Sequence, residues 1–494
     1  MSVGSNGRGC LKLWNDENPD AILPNDLVDL RTAALSKAVG GLGGVVFGGA
    51  KFEDAVRTRF EHLYERGQES ASTSTIVQTL YVLCQPQRIR RQIHRLRDIT
   101  IFCKEGLRRL GVHVYGNATT PMLPVHVGRP SMACKLSYKL RKLGLLATPI
   151  TMPAVKFWES RVRVSLSADF SDEQVNKLLD SIVEASTCVG ITKKAKLQRC
   201  RYKYAGCDFD GDNEDEEHHI CVSNIHKLIQ RDVARQRSHN SASKEAFGKN
   251  WGAGVIQAGH ISRARYGLGS SGSRWVSGTF LPHLKVERVL TEVTFQEATM
   301  TFTNAELGLP STIAALCRPL LGYKRHYLLV PSNAHEVFRE GVRFASKQDL
   351  GDVYAAMNRL SNSKTYFTVY MNTVVNDKLV NLHSIFDRLE WHKGASGMTL
   401  LLDDTNGLGH HGPKRLGIAD TVDLKRAAID LAAQILVYGS LYNAFGLSCG
   451  YLVGDDVLFS ELRYTNRGYM FTTSPQPFVM GMVKKSLEMR LNDE

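Results

Sequence analysis

Residues 35–44 read LSKAVGGLGG, one lysine followed by four glycines within seven positions. A second copy, LYNAFGLSCG, occupies residues 441–450, with Asn443 in register with Lys37. Aligning Leu35 with Leu441 also pairs Ala38 with Ala444, Gly40 with Gly446, Gly44 with Gly450 and Gly48 with Gly454. Both copies then enter a short apolar segment, VVFGG in one and YLVGD in the other. Matched spacing over this distance reads as a repeated unit. Small residues around a lysine let a flat cofactor approach the backbone, which makes Lys37 a candidate Schiff-base nucleophile, whereas asparagine cannot form an imine. Taken alone, a lysine is far more often a solvated surface group, so the assignment depends on what surrounds it.

Working outward, the chain alternates between two textures. From Phe52 to about Leu110 the pattern is helical, and IRRQIHRLRDITIFCKEGLRRLG is long, basic and amphipathic. Residues 112–195 order strand-like VHVYG and MLPVHVG, helical SMACKLSYKLRKLG, strand VRVSLSA and helix SDEQVNKLLDSIVEA. The last opens on a capping box, Ser171 with Gln174 three residues on. This order predicts a small βαβ-type domain with helices on one side of its sheet. VVFGG is expected as a strand in an α/β layer, and LAAQILVYGSLYNAFG as a buried strand and turn.

The texture breaks between Lys196 and about Val255, where acidic DFDGDNEDEEHH precedes basic RDVARQRSHNSASKEAFGKN. We read this as a linker or surface insertion. A calcium loop fails there, since Gly211 is fourth from Asp208 and His219 stands at position twelve. Cys200, Cys207, His218, His219 and Cys221 match no compact zinc spacing, so no metal is expected. Beyond it, HYLLVP, TYFTVYM and MTLLLDD alternate with helical DLGDVYAAMNRL and NLHSIFDRL, the order of a large, mostly parallel sheet flanked by helices. DDTNGLGHHG then lies at a strand's carboxyl end, where such sheets bind ligands.

Bulk composition sets the bounds. The 494 residues suggest two to four domains, and 43% hydrophobic with 22% charged residues is ordinary globular usage. A formal charge of +13 admits an anionic partner: nucleic acid, acidic lipid, phosphate or a coenzyme A thioester. Ten scattered cysteines read as reduced intracellular thiols, and no run of 18 apolar residues predicts a membrane span.

SRVRVSLSADFSDEQVNKLLDSIVE, GVHVYGNATTPMLPVHVG, YGLGSSGSRWVSGTFLPHLKVE and the two turns together resemble the α-oxoamine synthases. These are fold-type I pyridoxal-phosphate enzymes (aminotransferase class I/II-like) that condense an amino acid with an acyl-CoA, and the likeness is greatest to serine palmitoyltransferases. Residues 2 to about 200 resemble the back part of a catalytic subunit, and 256–494 the front part of a non-catalytic partner. The implied division is 1–60 as the end of a catalytic-type large domain, 61–195 as interdomain helix and small domain, 196–255 as linker, and 256–494 as a partner-type large domain. That order fits the middle of a fused catalytic–partner polyprotein. It also fits a circular permutant, in which residues 1–60 would compete with 436–465 for one place in the sheet.

The resemblance implies site roles. Lys37 would hold pyridoxal phosphate and move the substrate's α-proton, beside Ser36, while Ala34 replaces a usual phosphate-contacting threonine. Asp403 would pair with the pyridine nitrogen, with Asn406 where a ring-stacking histidine is expected. Thr473 would reach the cofactor phosphate from a neighbouring subunit, and Tyr266–Arg274 would be a turn that crosses the dimer. Arg161 and Arg163, two apart and so on one sheet face, would offer a clamp for the substrate carboxylate, and His335 would lie near the substrate. The implied reaction joins L-serine and palmitoyl-CoA to 3-oxosphinganine; the alternatives are a non-catalytic scaffold or a synthase using another amino acid. A dimer or missing subunit segments, peripheral association with the endoplasmic reticulum surface, and no nucleic acid complete what the resemblance implies.

Overall fold

The computed structural model describes residues 11, 14–15, 18–24, 27–49, 52, 55, 73–116, 120–152, 154–192, 201–204, 252–318, 325–330, 349–350, 365–389 and 397–491. They fall into two compact units, one of residues 1–31 and 79–228, the other of 32–78 and 229–494. The division places the Lys37 turn in the same unit as the second copy of its own motif.

In the first unit, β3 (Met122–Gly128), β4 (Thr148–Ile150) and β5 (Ser160–Ser165) form a sheet of order β3-β5-β4. Both pairings are antiparallel. The expected β3–helix–β4 unit is therefore a split one, with β5 lying between its two strands. Its helices are α1 (Thr73–Leu83, which reaches back into the second unit), α2 (Pro86–Arg109), α3 (Pro130–Lys142) and α4 (Asp172–Val189). Alternation decides the buried face: Leu123, Val125, Val162 and Val164 enter a core with Leu107, Leu136, Leu140, Leu179 and Ile182. The predicted capping box forms, with the Gln174 amide donating to Ser171 Oγ at 3.2 Å and the Ser171 amide to Gln174 Oε1 at 2.9 Å. Gly190 ends α4 in the left-handed region, at φ 80°. Ser171→Ala is expected to lower this unit's stability by about 1 kcal/mol, read as a shift of its urea midpoint.

The second unit is built on a seven-stranded sheet of order β6-β14-β13-β12-β9-β7-β8. Its strands are β6 (Ala298–Phe302), β7 (Arg325–Val330), β8 (Asp349–Leu350), β9 (Thr365–Asn372), β12 (Gly397–Asp403), β13 (Gln434–Ser440) and β14 (Gly450–Gly454). The β7/β8, β7/β9, β9/β12 and β12/β13 pairings are parallel, and β13/β14 and β14/β6 antiparallel. This is the mostly parallel sheet expected. Two-residue strands β10 (Val374–Val375) and β11 (Lys378–Leu379) pair beside it. The first two residues of DLGDVYAAMNRL form strand β8 instead of the expected helix, and the rest lies outside the described residues.

Helices of this unit are α5 (Ala253–Tyr266), α6 (Leu281–Val293), α7 (Ala305–Leu316), α8 (Leu382–Leu389), α9 (Leu424–Leu431), α10 (Leu441–Phe445), α11 (Asp456–Thr465), α12 (Arg467–Phe471) and α13 (Pro477–Leu491). Both sheet faces are covered, and residues alternate between two cores. Leu400, Leu402, Ile435 and Val437 pack on one side, while Leu401, Leu436 and Tyr438 pack on the other. Apolar runs without polar alternation follow directly from burial on both faces.

The repeat has unequal fates. β1 (Leu30–Ala34) and β2 (Gly44–Gly48) form a two-stranded sheet of their own, separate from the seven-stranded one. Val46 is 65% and Phe47 57% exposed, whereas every residue of β14 is buried. VVFGG is thus a strand, but not in the main layer as expected. The layer's place is taken by YLVG, whose strand already pairs with β13 on one side and β6 on the other. Of the two segments that a permuted chain would set in competition, the 434–454 copy holds the sheet.

Candidate active site

The two turns are closed by equivalent hydrogen bonds, although the second copy winds into the short helix α10 and the first does not. The Leu35 amide donates to the Gly43 carbonyl at 2.9 Å, and in the second copy the Leu441 amide donates to Cys449 at 2.8 Å. Gly40 and Gly446 occupy the same position with φ of 71° and 67°, a left-handed conformation that favours glycine. The resemblance seen in the letters is therefore a repeat in space.

What surrounds each copy differs. Lys37 is exposed, and its Nζ donates to the Ser271 carbonyl at 3.3 Å. Ser36, beside it, is buried and accepts from Thr473 Oγ1 at 3.0 Å. Gly269 approaches the turn so closely that a Cβ there would stand 2.3 Å from the Gly40 carbonyl oxygen. From the other side, the Leu42 amide donates to Thr75 Oγ1 at 2.9 Å, and Gln78 donates to the Val39 carbonyl. The lysine turn is thus seated on the glycine-rich turn of residues 266–274 and on Thr473. Thr473 is the residue expected to reach a cofactor phosphate from a neighbouring subunit, and the turn the element expected to cross a dimer; here one chain supplies both.

Asp403 is positioned by the main sheet. It ends β12, paired with Tyr438 of β13, the strand that runs into the Asn443 copy. Its carboxylate accepts from Tyr370 Oη at 2.5 Å and from the Thr405 amide at 3.0 Å. In the loop that follows, Gly409 packs against Ala444 of the second turn. By connectivity Asp403 belongs with the second copy, and so does Asn406, three residues along the same loop. Ser36 and Thr473 are hydrogen-bonded to each other beside Lys37, while Asp403 is tied to Tyr438 of β13.

Arg161 and Arg163 lie in the first unit on the half-buried face of β5, as the period-two reading required. Arg161 is already engaged: Nε donates to the Glu159 carbonyl at 2.9 Å, Nη2 pairs with Glu159 Oε2 at 3.3 Å, and the guanidinium lies 4.6 Å from the Tyr115 ring centre. Arg163 sits opposite Pro124 and Thr148 on that face. His335 lies outside the described residues. Most of the Cys/His set of residues 200–221 does too, and among the described residues no cluster of metal-ligating side chains occurs.

One titratable group was missed in the sequence. Asp404 is 2% exposed and accepts from Thr373 Oγ1 and, at 3.3 Å, from the Ile418 amide. Burial pushes its carboxyl up to about 7, against those hydrogen bonds, which pull it down. The folded chain thus keeps a proton that the unfolded chain loses above 3.8. Its stabilising contribution is complete below that value and is lost as the pH rises toward about 7. Asp404→Asn is expected to flatten the fall in urea stability across that window.

Comparison with known proteins finds several similar chains. The family described as aminotransferase class I and II matches residues 22–182. The chain is 24% identical over 536 aligned residues to an aminotransferase, FUM8, of Gibberella moniliformis (strain M3125 / FGSC 7600), covering 99% of this chain and 94% of that protein. It is 23% identical to the aminotransferase ALT4 of Alternaria alternata, covering 99% of this chain but only 64% of that protein. Among solved structures, a serine palmitoyltransferase from Sphingomonas wittichii overlaps with a TM-score of 0.41 at 22% identity, covering 48% of this chain and 58% of that one. Among the described residues no helix is long and apolar enough to cross a membrane. Over residues 22–182 the chain is similar to the aminotransferase class I and II family, and over 99% of its length to the aminotransferase FUM8.

Proposed function

We propose that this chain carries the Schiff-base lysine and the cross-subunit elements of a serine palmitoyltransferase-type enzyme, joining L-serine to palmitoyl-CoA with loss of carbon dioxide. The observation that carries the proposal is the seating of the Lys37 turn on Ser271, with Ser36 bonded to Thr473. A catalytic-type turn and partner-type elements meet within one polypeptide, as a fusion of the two subunits would require. The match to FUM8 likewise runs through both halves of this chain in the same order.

The residues fit pyridoxal phosphate at two of its ends. Lys37 offers an exposed amine for the aldehyde, and the Ser36 and Thr473 hydroxyls offer donors for the phosphate. When bound, the cofactor supplies an electron sink that makes the amino acid's α-proton labile. Lys37 would hold and move that proton. Arg163 would clamp the substrate carboxylate in preference to Arg161, whose donors face Glu159 and Tyr115. His335 would assist near the substrate. We assign the chain no nucleic acid partner, and place it at the endoplasmic reticulum surface as a peripheral subunit of a dimer.

A scaffold role is favoured by one observation: the copy that holds the main sheet carries Asn443, and Asp403 stands with it. The test is to supply purified chain with pyridoxal phosphate, palmitoyl-CoA and labelled serine, glycine or alanine. Formation of 3-oxosphinganine with serine supports the synthase reading, turnover with another amino acid reassigns the substrate, and no cofactor uptake by folded protein leaves the scaffold.

A further inference from the structure

We propose that α6 is a positioning device that presents Ser271 and Thr473 to the Lys37 turn, with His283 and the Arg274–Glu287 pair as its positioning residues. The two presenting segments are first stitched to one another. Ser273 bridges Thr473 in antiparallel fashion, the Ser474 amide and Oγ donate to the Gly272 carbonyl at 2.9 and 3.0 Å, and Ser270 Oγ donates to the Ser474 carbonyl at 3.1 Å. These turn bonds tie the two segments to each other; Thr303 Oγ1 donates to the Thr473 carbonyl, and α6 anchors the pair to the rest of the unit at two further points.

At the first point, Arg274 Nη2 pairs with Glu287 Oε1 at 2.9 Å and with Oε2 at 3.0 Å, while Nη1 donates to Thr301 Oγ1 at 2.8 Å. Both side chains are withdrawn from water, at 2% and 13% exposure. Glu287 also accepts from the Thr301 amide at 3.0 Å, which ties the pair to β6 of the sheet. The turn is thereby anchored to helix and sheet together.

At the second point, His283, with no exposed surface, spans the gap to the other segment. Its Nδ1 accepts from the Phe280 amide at 3.0 Å, which leaves the proton on Nε2 to donate to the Pro475 carbonyl at 2.9 Å. Burial holds this imidazole down to about 4, so it stays neutral and keeps that tautomer near neutral pH. Pro475 is two residues from Thr473. Gln476, the next residue, donates to Thr75 Oγ1 at 3.4 Å, the same hydroxyl that accepts from Leu42 of the lysine turn. The chain of contacts thus runs from α6 to both sides of the Lys37 turn.

The catalytic meaning of this device rests on the reading of Lys37 given above, but the device itself is testable without cofactor. Ser36→Cys with Thr473→Cys places a thiol pair across the contact, and its rate of disulfide formation reports how well the two are presented. Peptide mapping distinguishes this bridge from products of the native cysteines. His283→Ala is expected to slow bridging by about 10-fold or more, and His283→Gln, whose amide can still donate to Pro475, to restore most of it. Glu287→Gln carries the test if His283→Ala does not fold, with slower bridging again expected. Unchanged bridging in the folded His283→Ala or Glu287→Gln variant, or an equal loss in His283→Gln, would overturn the proposal. Cofactor uptake by the unsubstituted chain, titrated separately, judges the Lys37 reading and not this one.

Discussion

Lys37→Ala is expected to abolish covalent uptake of pyridoxal phosphate, and with it the visible absorption of the loaded chain. The thermal midpoint should hardly move. Lys37 is exposed and makes one polar contact, to the Ser271 carbonyl. Removing a solvated amine leaves no buried partner without a bond, so the structural cost is small. On the proposed reading the chemical cost is large, because the same amine would form the imine and move the α-proton. Any condensation activity should fall by at least ~100-fold. Asn443→Ala is the matched control at the equivalent place in the second turn, and it should leave cofactor uptake unchanged. Equal loss in both variants would mean that the turns act structurally.

Arg274→Ala is expected to destabilise the second unit by about 3–5 kcal/mol, since it strands Glu287 as an unpaired buried charge. The paired substitution Arg274→Met with Glu287→Leu removes both charges and should recover much of that loss. Some of it should persist, because the Thr301 amide loses its acceptor. The measurement is a double-mutant cycle on urea denaturation midpoints. If the single and paired variants are equally unstable, the network acts through packing volume and not through charge.

The turn repeat was legible because backbone geometry leaves a residue-level trace. A left-handed position needs glycine, so Gly40 and Gly446 mark the same place in both copies. The parallel strands were legible for a similar reason: burial on both faces writes continuous apolar runs such as MTLLLD. Sheet placement left no such trace. GVVFG and GYLVG have the same pattern, and only the neighbours β13 and β6 decide that the second is buried. The α6 contacts were hidden too, since one partner of His283 is a backbone carbonyl, which any residue could provide. Adjacent aspartates point to opposite sides of a strand end, so sequence alone could not say that Asp404 would be the buried, proton-holding member.

We propose Lys37 as the cofactor lysine of a site that Ser271 and Thr473 complete in the same chain. The most direct test is reductive trapping: load the unsubstituted chain with pyridoxal phosphate, reduce with borohydride, digest, and map the modified peptide. Label is expected on Lys37, diminished when Gly269→Val pushes the glycine-rich turn off the Gly40 carbonyl. Label on another lysine, or equal labelling in the Gly269→Val protein, would contradict it.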